Sequence, residues 1–370
     1  MNADIPAPQR ITRLTPLADV LAMLAQLSPV TEQNVPVADA VGHVLATDVV
    51  ATDAIPPAAL ALRDGWAVEA DVTRDAGPYA PMLLPPSTQR IDAFAPMPPG
   101  TDAVAPIDAV AVLGGMLQIM APVAPGEDIL PPGGDCEANA VLCTSGAQLC
   151  AIDIAALTAL GVTQLCIRKP RVRVVPARRD DAILQSIGHF LEHVVKAAGA
   201  DVSLTDDLDE ALRDASTDAV IGVGGTGSGR NDHAVTVLSR AGTLTCHGIG
   251  LSPGETAAFG QVESRPVLLI PGRIDAALAC WLALTQPMIA ALSNAKPNAI
   301  TQSAELSRKI TSTIGLADVV PVRRSGDTIT PLASGMLPLQ TLAQADGWIL
   351  VPAESEGYPA GTVVRVRPLP

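Results

Sequence analysis

From Lys169 onward the apolar positions switch repeatedly between two periods. RVRVVPA has the texture of a strand, and residues 182–198 then carry Ile183, Ile187, Phe190, Leu191, Val194 and Val195 at helical spacing. ADVSLT is the next strand, 208–215 a helix, DAVIGVGG a strand and 234–240 a helix. PVLLIPG is a further strand, and a helix starts at Asp275. Strands that alternate with helices predict a parallel-type sheet covered on both faces, a three-layer αβα domain. Ligands of such sheets sit at the carboxyl ends of the strands.

The flanking segments have other patterns. Residues 17–27 show helical spacing, and 35–50 read as a second helix followed by a strand. Between 56 and about 125, short β-like runs at 66–68, 103–106 and 116–120 lie among PPSTQ, APMPPG and LGG. A PPGG turn and a helix over 152–160, closed by Gly161 as a C-cap, follow. From Asn298 the helices stop, and VVPVRR, DTITPL, GWILVP and TVVRVRP predict an all-β, barrel-like end. The expected division is a discontinuous linker domain (14–50 with 126–168), a small β-rich domain (51–125), the αβα domain (169–297) and a C-terminal β domain (298–370). The fold class is multidomain α/β.

Composition narrows the ligand. Of 370 residues 48% are hydrophobic but only 2% aromatic, so the cores must be built from Ala, Val, Leu and Ile. A net charge of −14 argues against a nucleic-acid surface or an anionic membrane as partner. An anionic ligand must therefore bind locally, through backbone dipoles and a few placed arginines. The six cysteines contain no CxxC pair, and MNADIPAPQR lacks the basic and apolar regions of a signal peptide; both point to reduced thiols in the cytoplasm. The apolar stretch 274–292 is interrupted by Asp275, Gln286 and Pro287 and reads as a packed helix, not a membrane span.

The stretch IGVGGTGSGRNDHAV, from Ile221 to Val235, is the main candidate site. Gly222, Gly224 and Gly227 satisfy GxGxxG, yet no acidic residue stands near Thr245 where a dinucleotide site needs one. A Walker loop requires Gly-Lys; here the last glycine precedes Arg230. What remains is a strand, a glycine turn and a helix start with Asn231 or Asp232 as N-cap, which suits an anion cradle or a structural turn equally. HFLEH (189–193) matches an inverted zinc-peptidase pattern, but His189 and His193 fall with Glu192 and Lys196 opposite the apolar stripe, as on a solvated face. Cys136, Cys143 and Cys150 lack zinc spacing, and adjacent Cys246 and His247 are poorly placed to act as a nucleophile pair.

Beginning at LRDGWAV (62–68), the chain resembles the molybdopterin molybdenumtransferases, the MoeA and gephyrin E-domain family, which carries a stretch close to MDGYAV. APMPPGTDAV resembles the family's proline–glycine segment before an acidic position, here Asp108. GEDILPPGGD and ALTALGVTQLCIRKPRVRV follow in order. The glycine stretch aligns with SGGVSVG and its Asp, LSPGETAAFG with KPGKPFAFG, IPGRIDAAL with LPGNPVSAL, and YPAGTVVRVRPL with the closing β segment. The segments span almost the whole length.

That resemblance implies that adenylylated molybdopterin and molybdate meet on the protein with the help of Mg2+ or another divalent cation, and that molybdenum cofactor and AMP leave. It implies a homodimer whose site lies between the αβα domain of one subunit and the small β domain of the other, with a molybdoenzyme as final acceptor. A non-catalytic protein that binds or delivers the pterin is the alternative. The catalytic candidates are Asp64, Asp181 and Asp232. The metal candidates are Asp64, Asp108, Asp135 and Asp232. Gly224, Gly225, Thr226, Gly227, Ser228, Pro253, Gly254 and Gly272 form the expected pterin cradle. The family's two KPGKP lysines are replaced by Ser252 and Glu255, and PGNP has become PGRI. Its STGDE-type loop reads Arg178, Arg179, Asp180, Asp181 and Ala182, its DTN is shortened away, and Leu130, Pro131 and Pro132 stand where that segment carries arginines. Arg178, Arg179, Arg230 and Arg273 all follow predicted strands, so these guanidiniums are expected to gather at one crevice in place of the lysines.

Overall fold

The computed structural model describes residues 9–296 and 301–370; the start of the N-terminal stretch and the boundary expected at 297/298 lie outside the described residues. Two compact units form. One contains the chain up to Thr47, Ser145–Ala155 and Thr163–Pro370; the other contains Asp48–Thr144 and Ala156–Val162.

The larger unit holds the αβα layers. Its strands are β1 (Arg171–Pro176), β2 (Asp201–Leu204), β3 (Ala219–Val223), β4 (Thr243–His247), β5 (Ile249–Ser252), β6 (Ala258–Val262) and β7 (Arg265–Ile270). Six of them make one sheet, ordered β2-β1-β3-β7-β6-β4. Helices α1 (Ala182–Ala197), α2 (Leu208–Arg213) and α3 (Ala234–Ala241) follow β1, β2 and β3. The neighbours β2, β1, β3 and β7 are parallel, but β6 pairs antiparallel with both β7 and β4, so the sheet is mixed and not wholly parallel. A turn of two residues, Glu263 and Ser264, joins β6 to β7, and so short a link permits only an antiparallel hairpin.

Strand periodicity sorts the core into two layers. Val172, Val174, Ile221, Val223, Leu268 and Ile270 pack with Leu184, Ile187, Leu191 and Val195 of α1. Val175, Val220, Val267 and Leu269 face the other way, against Ala211 and Leu212 of α2 and Val235 and Leu238 of α3. Each such Leu or Ile contributes on the order of 2 kcal/mol by burial. Ile183, expected in the apolar stripe, is exposed because the stripe centres on Leu184, Ile187 and Leu191 and leaves Ile183 at its border. His189 and His193 are exposed on the polar face, and the His193 Nδ1 donates to the His189 carbonyl at 2.7 Å.

Helix α4 (Ile274–Ser293) runs on through Pro287. A π turn at Trp281–Thr285 precedes the proline, where the helical ladder would otherwise call for the N–H that proline lacks. Trp281, Leu284, Met288 and Ile289 of this helix are buried in the core, as a packed helix requires, although its length and composition would also suit a membrane span. Two shorter expectations change. Helix 208–215 stops at Arg213, where Asp214 turns extended and its carboxylate accepts the Ser216 N–H. Residues 35–50 contain no second α-helix: Gln33–Pro36 and Val44–Leu45 are strands that pair with Gln164–Arg168, separated by a single 3-10 turn and by Gly42 at φ +82°. Pro36 and Gly42 break any continuous helical run there.

Beyond residue 300, β8 (Gln302–Leu306), β9 (Ala317–Ser325), β10 (Thr328–Pro331), β11 (Gly347–Val351) and β12 (Val363–Pro368) close a five-strand barrel in the order β9-β10-β8-β12-β11 and back to β9. Leu306, Val320, Val322, Ile329, Ile349 and Val351 fill it. Strand β5 lies parallel to β9, so the LSPG stretch begins as a strand beside the barrel.

The smaller unit is β-rich, as its texture predicts. Gly65–Val68 is flanked by Gln89–Ile91 and Ala103–Pro106, and Val110–Leu113 turns back into Met116–Ile119 through Gly114 and Gly115. Both glycines have positive φ, which a two-residue hairpin turn of this hand requires.

Candidate functional site

Three parallel neighbours, β1, β3 and β7, end at one rim of the sheet, and their following loops meet there. The Ala177 N–H donates to the Val223 carbonyl and the Gly224 N–H to the Ile270 carbonyl, each at 2.8 Å. A Cβ on Gly272 would stand 2.7 Å from the Leu184 side chain and 3.3 Å from the Gly224 Cα, so glycine is what lets these loops close on one another.

The glycine loop between β3 and α3 is braced by side chains from three directions. Asp232 accepts the Gly229 N–H at 2.8 Å, and a Cβ on Gly227 or Gly229 would lie 2.8 or 2.9 Å from its Oδ2. The His247 Nε2 donates to the Thr226 carbonyl at 2.8 Å, and the Thr226 and Thr256 hydroxyls meet at 2.9 Å. Gln9 reaches the Gly225 and Gly227 carbonyls from the N-terminal segment. Among the described residues, the N–H groups of Thr226, Gly227 and Ser228 have no acceptor within the chain. Consecutive N–H groups without partners, in the loop that leads into a helix, can form a cradle for an anion.

The arginines follow their strands as expected, but three are already paired with acids. Arg178 is 2.5 Å from Asp181, Arg179 is 2.6 Å from Asp206, and Arg273 holds Asp275 through two hydrogen bonds of 3.0 and 2.7 Å. Arg230 is exposed on the glycine loop and makes no ion pair among the described residues. Three of the four guanidiniums expected to gather at the crevice are therefore already partnered by carboxylates of this acidic chain. Asp181 is similarly committed, since its Oδ1 accepts the N–H groups of Ile183 and Leu184 as the N-cap of α1.

The remaining aspartates do not assemble a metal centre. Asp64 is exposed and accepts the Ala93 N–H at 2.8 Å, while Asp108 and Asp135 are exposed in turns of the smaller unit. Among the described residues, no group of three or more His, Cys, Asp or Glu comes together that could hold a metal ion. Asp232 is engaged by its own loop, and the described residues do not bring Asp64, Asp108, Asp135 and Asp232 together as a donor set for a divalent cation.

The Ser252–Pro253–Gly254 turn follows β5. Gly254 has φ +139°, and a Cβ there would meet Cys280 and Leu251 at 3.1 Å. Ser252, in the place of a family lysine, lines a polar cavity of about 180 Å³ with Thr311, Ser312, Thr313, Asp318 and Ser334. Burial pushes the Asp318 carboxyl up to about 6, and the nearby Glu255 adds to this against the hydrogen bond from the Gly335 N–H. Glu255 and Asp318 thus leave this corner with carboxylates. Burial also raises the Cys246 thiol, so the Cys246–His247 pair carries no activated nucleophile. The role of His247 as a brace, and those of Gln9 and Thr256, escaped sequence reading because each depends on contacts made across the chain.

Two outcomes test these electrostatics. A carboxyl with a raised folded value contributes stability fully below its unfolded value of 3.8 and loses it as pH rises through about 6. Asp318→Asn should therefore raise stability at pH 8 by on the order of 2 kcal/mol and give no gain near pH 4, as read by thermal melts. In urea denaturation, Arg273→Ala should cost about 1–2 kcal/mol because it strands Asp275, whose side chain is only 4% exposed. Arg179→Ala, at a side chain 84% exposed, should cost under about 0.5 kcal/mol.

Comparison with known proteins accounts for nearly the whole chain. Residues 15–161 match the family model of the MoeA N-terminal region (domain I and II), and residues 303–369 that of the MoeA C-terminal region (domain IV). Residues 177–291, which contain the glycine loop, match the one described as "probable molybdopterin binding domain". Molybdopterin molybdenumtransferase 2 of Mycobacterium tuberculosis is 26% identical over 94% of this chain and 96% of its own length. The fold is shared with the molybdopterin biosynthesis moeA protein of Pyrococcus horikoshii OT3, at a TM-score of 0.73 and 23% identity over 96% of this chain and 99% of that one. A molybdenum cofactor biosynthesis protein from Pyrococcus furiosus is similar at a TM-score of 0.62 and 20% identity, with 96% and 99% covered. The three family models succeed one another along the chain in the order of the folded parts, and the chain belongs to the MoeA family of molybdenum cofactor biosynthesis proteins.

Proposed function

We propose that the chain binds adenylylated molybdopterin with its phosphates on the glycine loop, and that it inserts molybdate with release of AMP. The observation that supports this reading is the row of N–H groups at Thr226, Gly227 and Ser228 that have no acceptor among the described residues, inside the stretch matched to a molybdopterin-binding family model. These donors are neutral, fixed by the fold, and unaffected by the surplus of acidic residues. Arg230 adds one charge on the same loop. Arg179 can join it, because its exposed pair with Asp206 costs little to exchange for a phosphate. Arg273 stays with Asp275. The described residues gather no donor set for a divalent ion.

The pairing of three arginines favours a second reading, in which the protein holds or delivers the pterin without exchanging AMP for molybdate. A cradle of N–H groups suffices to bind phosphate, whereas displacement of AMP by an oxyanion calls for cations to offset the developing charge. In either case we expect a homodimer in the cytoplasm, with a molybdoenzyme as the acceptor. A single-turnover experiment separates the two. With adenylylated molybdopterin bound and molybdate added, the transferase releases one AMP for each molybdate taken up; retention of the adenylylated pterin with no AMP released supports the carrier.

A further inference from the structure

Gln9 lies before the stretch that the family models match, which begins at residue 15, yet its side chain makes two hydrogen bonds to the glycine loop. Its Nε2 donates to the Gly225 carbonyl at 3.0 Å and to the Gly227 carbonyl at 2.9 Å, while its Oε1 accepts the Thr236 N–H at 3.1 Å. Each group of the carboxamide is used. The segment is held in place just beyond, where the Thr15 N–H donates to the Gly248 carbonyl at 2.9 Å and Thr15 and Pro16 pair with β5.

In a trans peptide the carbonyl and the following N–H point in opposite directions. Fixing the Gly225 and Gly227 carbonyls toward Gln9 therefore turns the N–H groups of Thr226 and Ser228 away from it, both to the same side. His247 fixes the peptide between them through the Thr226 carbonyl. A helix cap needs only the bond to Thr236; the two carbonyl bonds are superfluous for capping and decisive for the direction of the amides.

We propose that Gln9 is a positioning residue for anion binding: its carboxamide sets the peptide planes of the glycine loop so that the N–H groups of Thr226 and Ser228 converge on a phosphate of the ligand. This rests on the proposed binding of molybdopterin at that loop. Gln9→Met keeps the length and shape of the side chain but removes both donors and the acceptor.

Molybdopterin affinity, melting temperature and amide hydrogen exchange, measured on wild type, Gln9→Met and Gln9→Glu, provide the test. The expected result is binding by wild type, a loss of about tenfold in Gln9→Met and a larger loss in Gln9→Glu, which turns a carboxylate toward two carbonyls. The Thr236 amide should exchange faster in both variants, with the melting temperature lowered by under about 4 °C. Equal affinity of wild type and Gln9→Met would overturn the role of Gln9 and leave molybdopterin binding standing. Absence of binding by wild type would overturn both, and a loss of affinity seen only with a collapse in melting temperature would mark Gln9 as a purely structural contact.

Discussion

The orientation of a few peptide planes between β3 and α3 is the constraint on which the proposed binding at this rim of the sheet depends. Glycines at 224 and 225 adopt φ of +86° and +70°, which other residues adopt only with strain, and the chain then passes three peptides whose N–H groups find no partner among the described residues. Those peptides are set by Gln9 and His247, side chains that arrive from the N-terminal segment and from β4, and Asp232 of the loop itself fixes the next one. The αβα layers matter to this because they fix the ends of β1, β3 and β7 side by side. Two-sided packing of alternate strand residues leaves the sheet little freedom to move.

Charge is handled sparingly around that loop. The protein carries a net charge of −14, and the aspartates nearest the rim neutralise most of the arginines that sequence order brings there. Arg273 serves the fold by keeping Asp275 ionised within the core, where burial alone would push its carboxyl upward and the bonds from Arg273, Leu337 and Ala276 hold it below the usual range. Backbone dipoles are the alternative source of positive potential, and they need no counter-ion. Ser252 and Glu255 follow the same trend, since both stand where family resemblance expects lysine and one of them adds negative charge.

Much of this was legible in the amino-acid order. The alternation after Lys169 predicts each αβ unit, because a strand face or a helix face that must be buried imposes its own period. The β character of the C-terminal end was visible in short apolar runs such as GWILVP, though closure of the barrel depends on β9 pairing with both β10 and β11, a long-range fact. Local reading failed where a tertiary partner decided. Gln33–Pro36 becomes a strand because Gln164–Arg168 lies beside it, and β4 and β6 are strands of a sheet whose other members are parallel. At the site, the glycines and Asp232 could be read from their spacing. The brace formed by Gln9 could not, for it joins residues more than 200 positions apart and Gln9 carries no motif.

A crystal structure of the protein with molybdopterin bound tests most directly whether the oriented peptides are the binding element. The predicted result is a phosphate oxygen within about 2.7–3.2 Å of both the Thr226 and Ser228 nitrogens, with Gln9 still on the Gly225 and Gly227 carbonyls. A ligand seated elsewhere, or held by side chains while those two N–H groups stay unengaged, would contradict it.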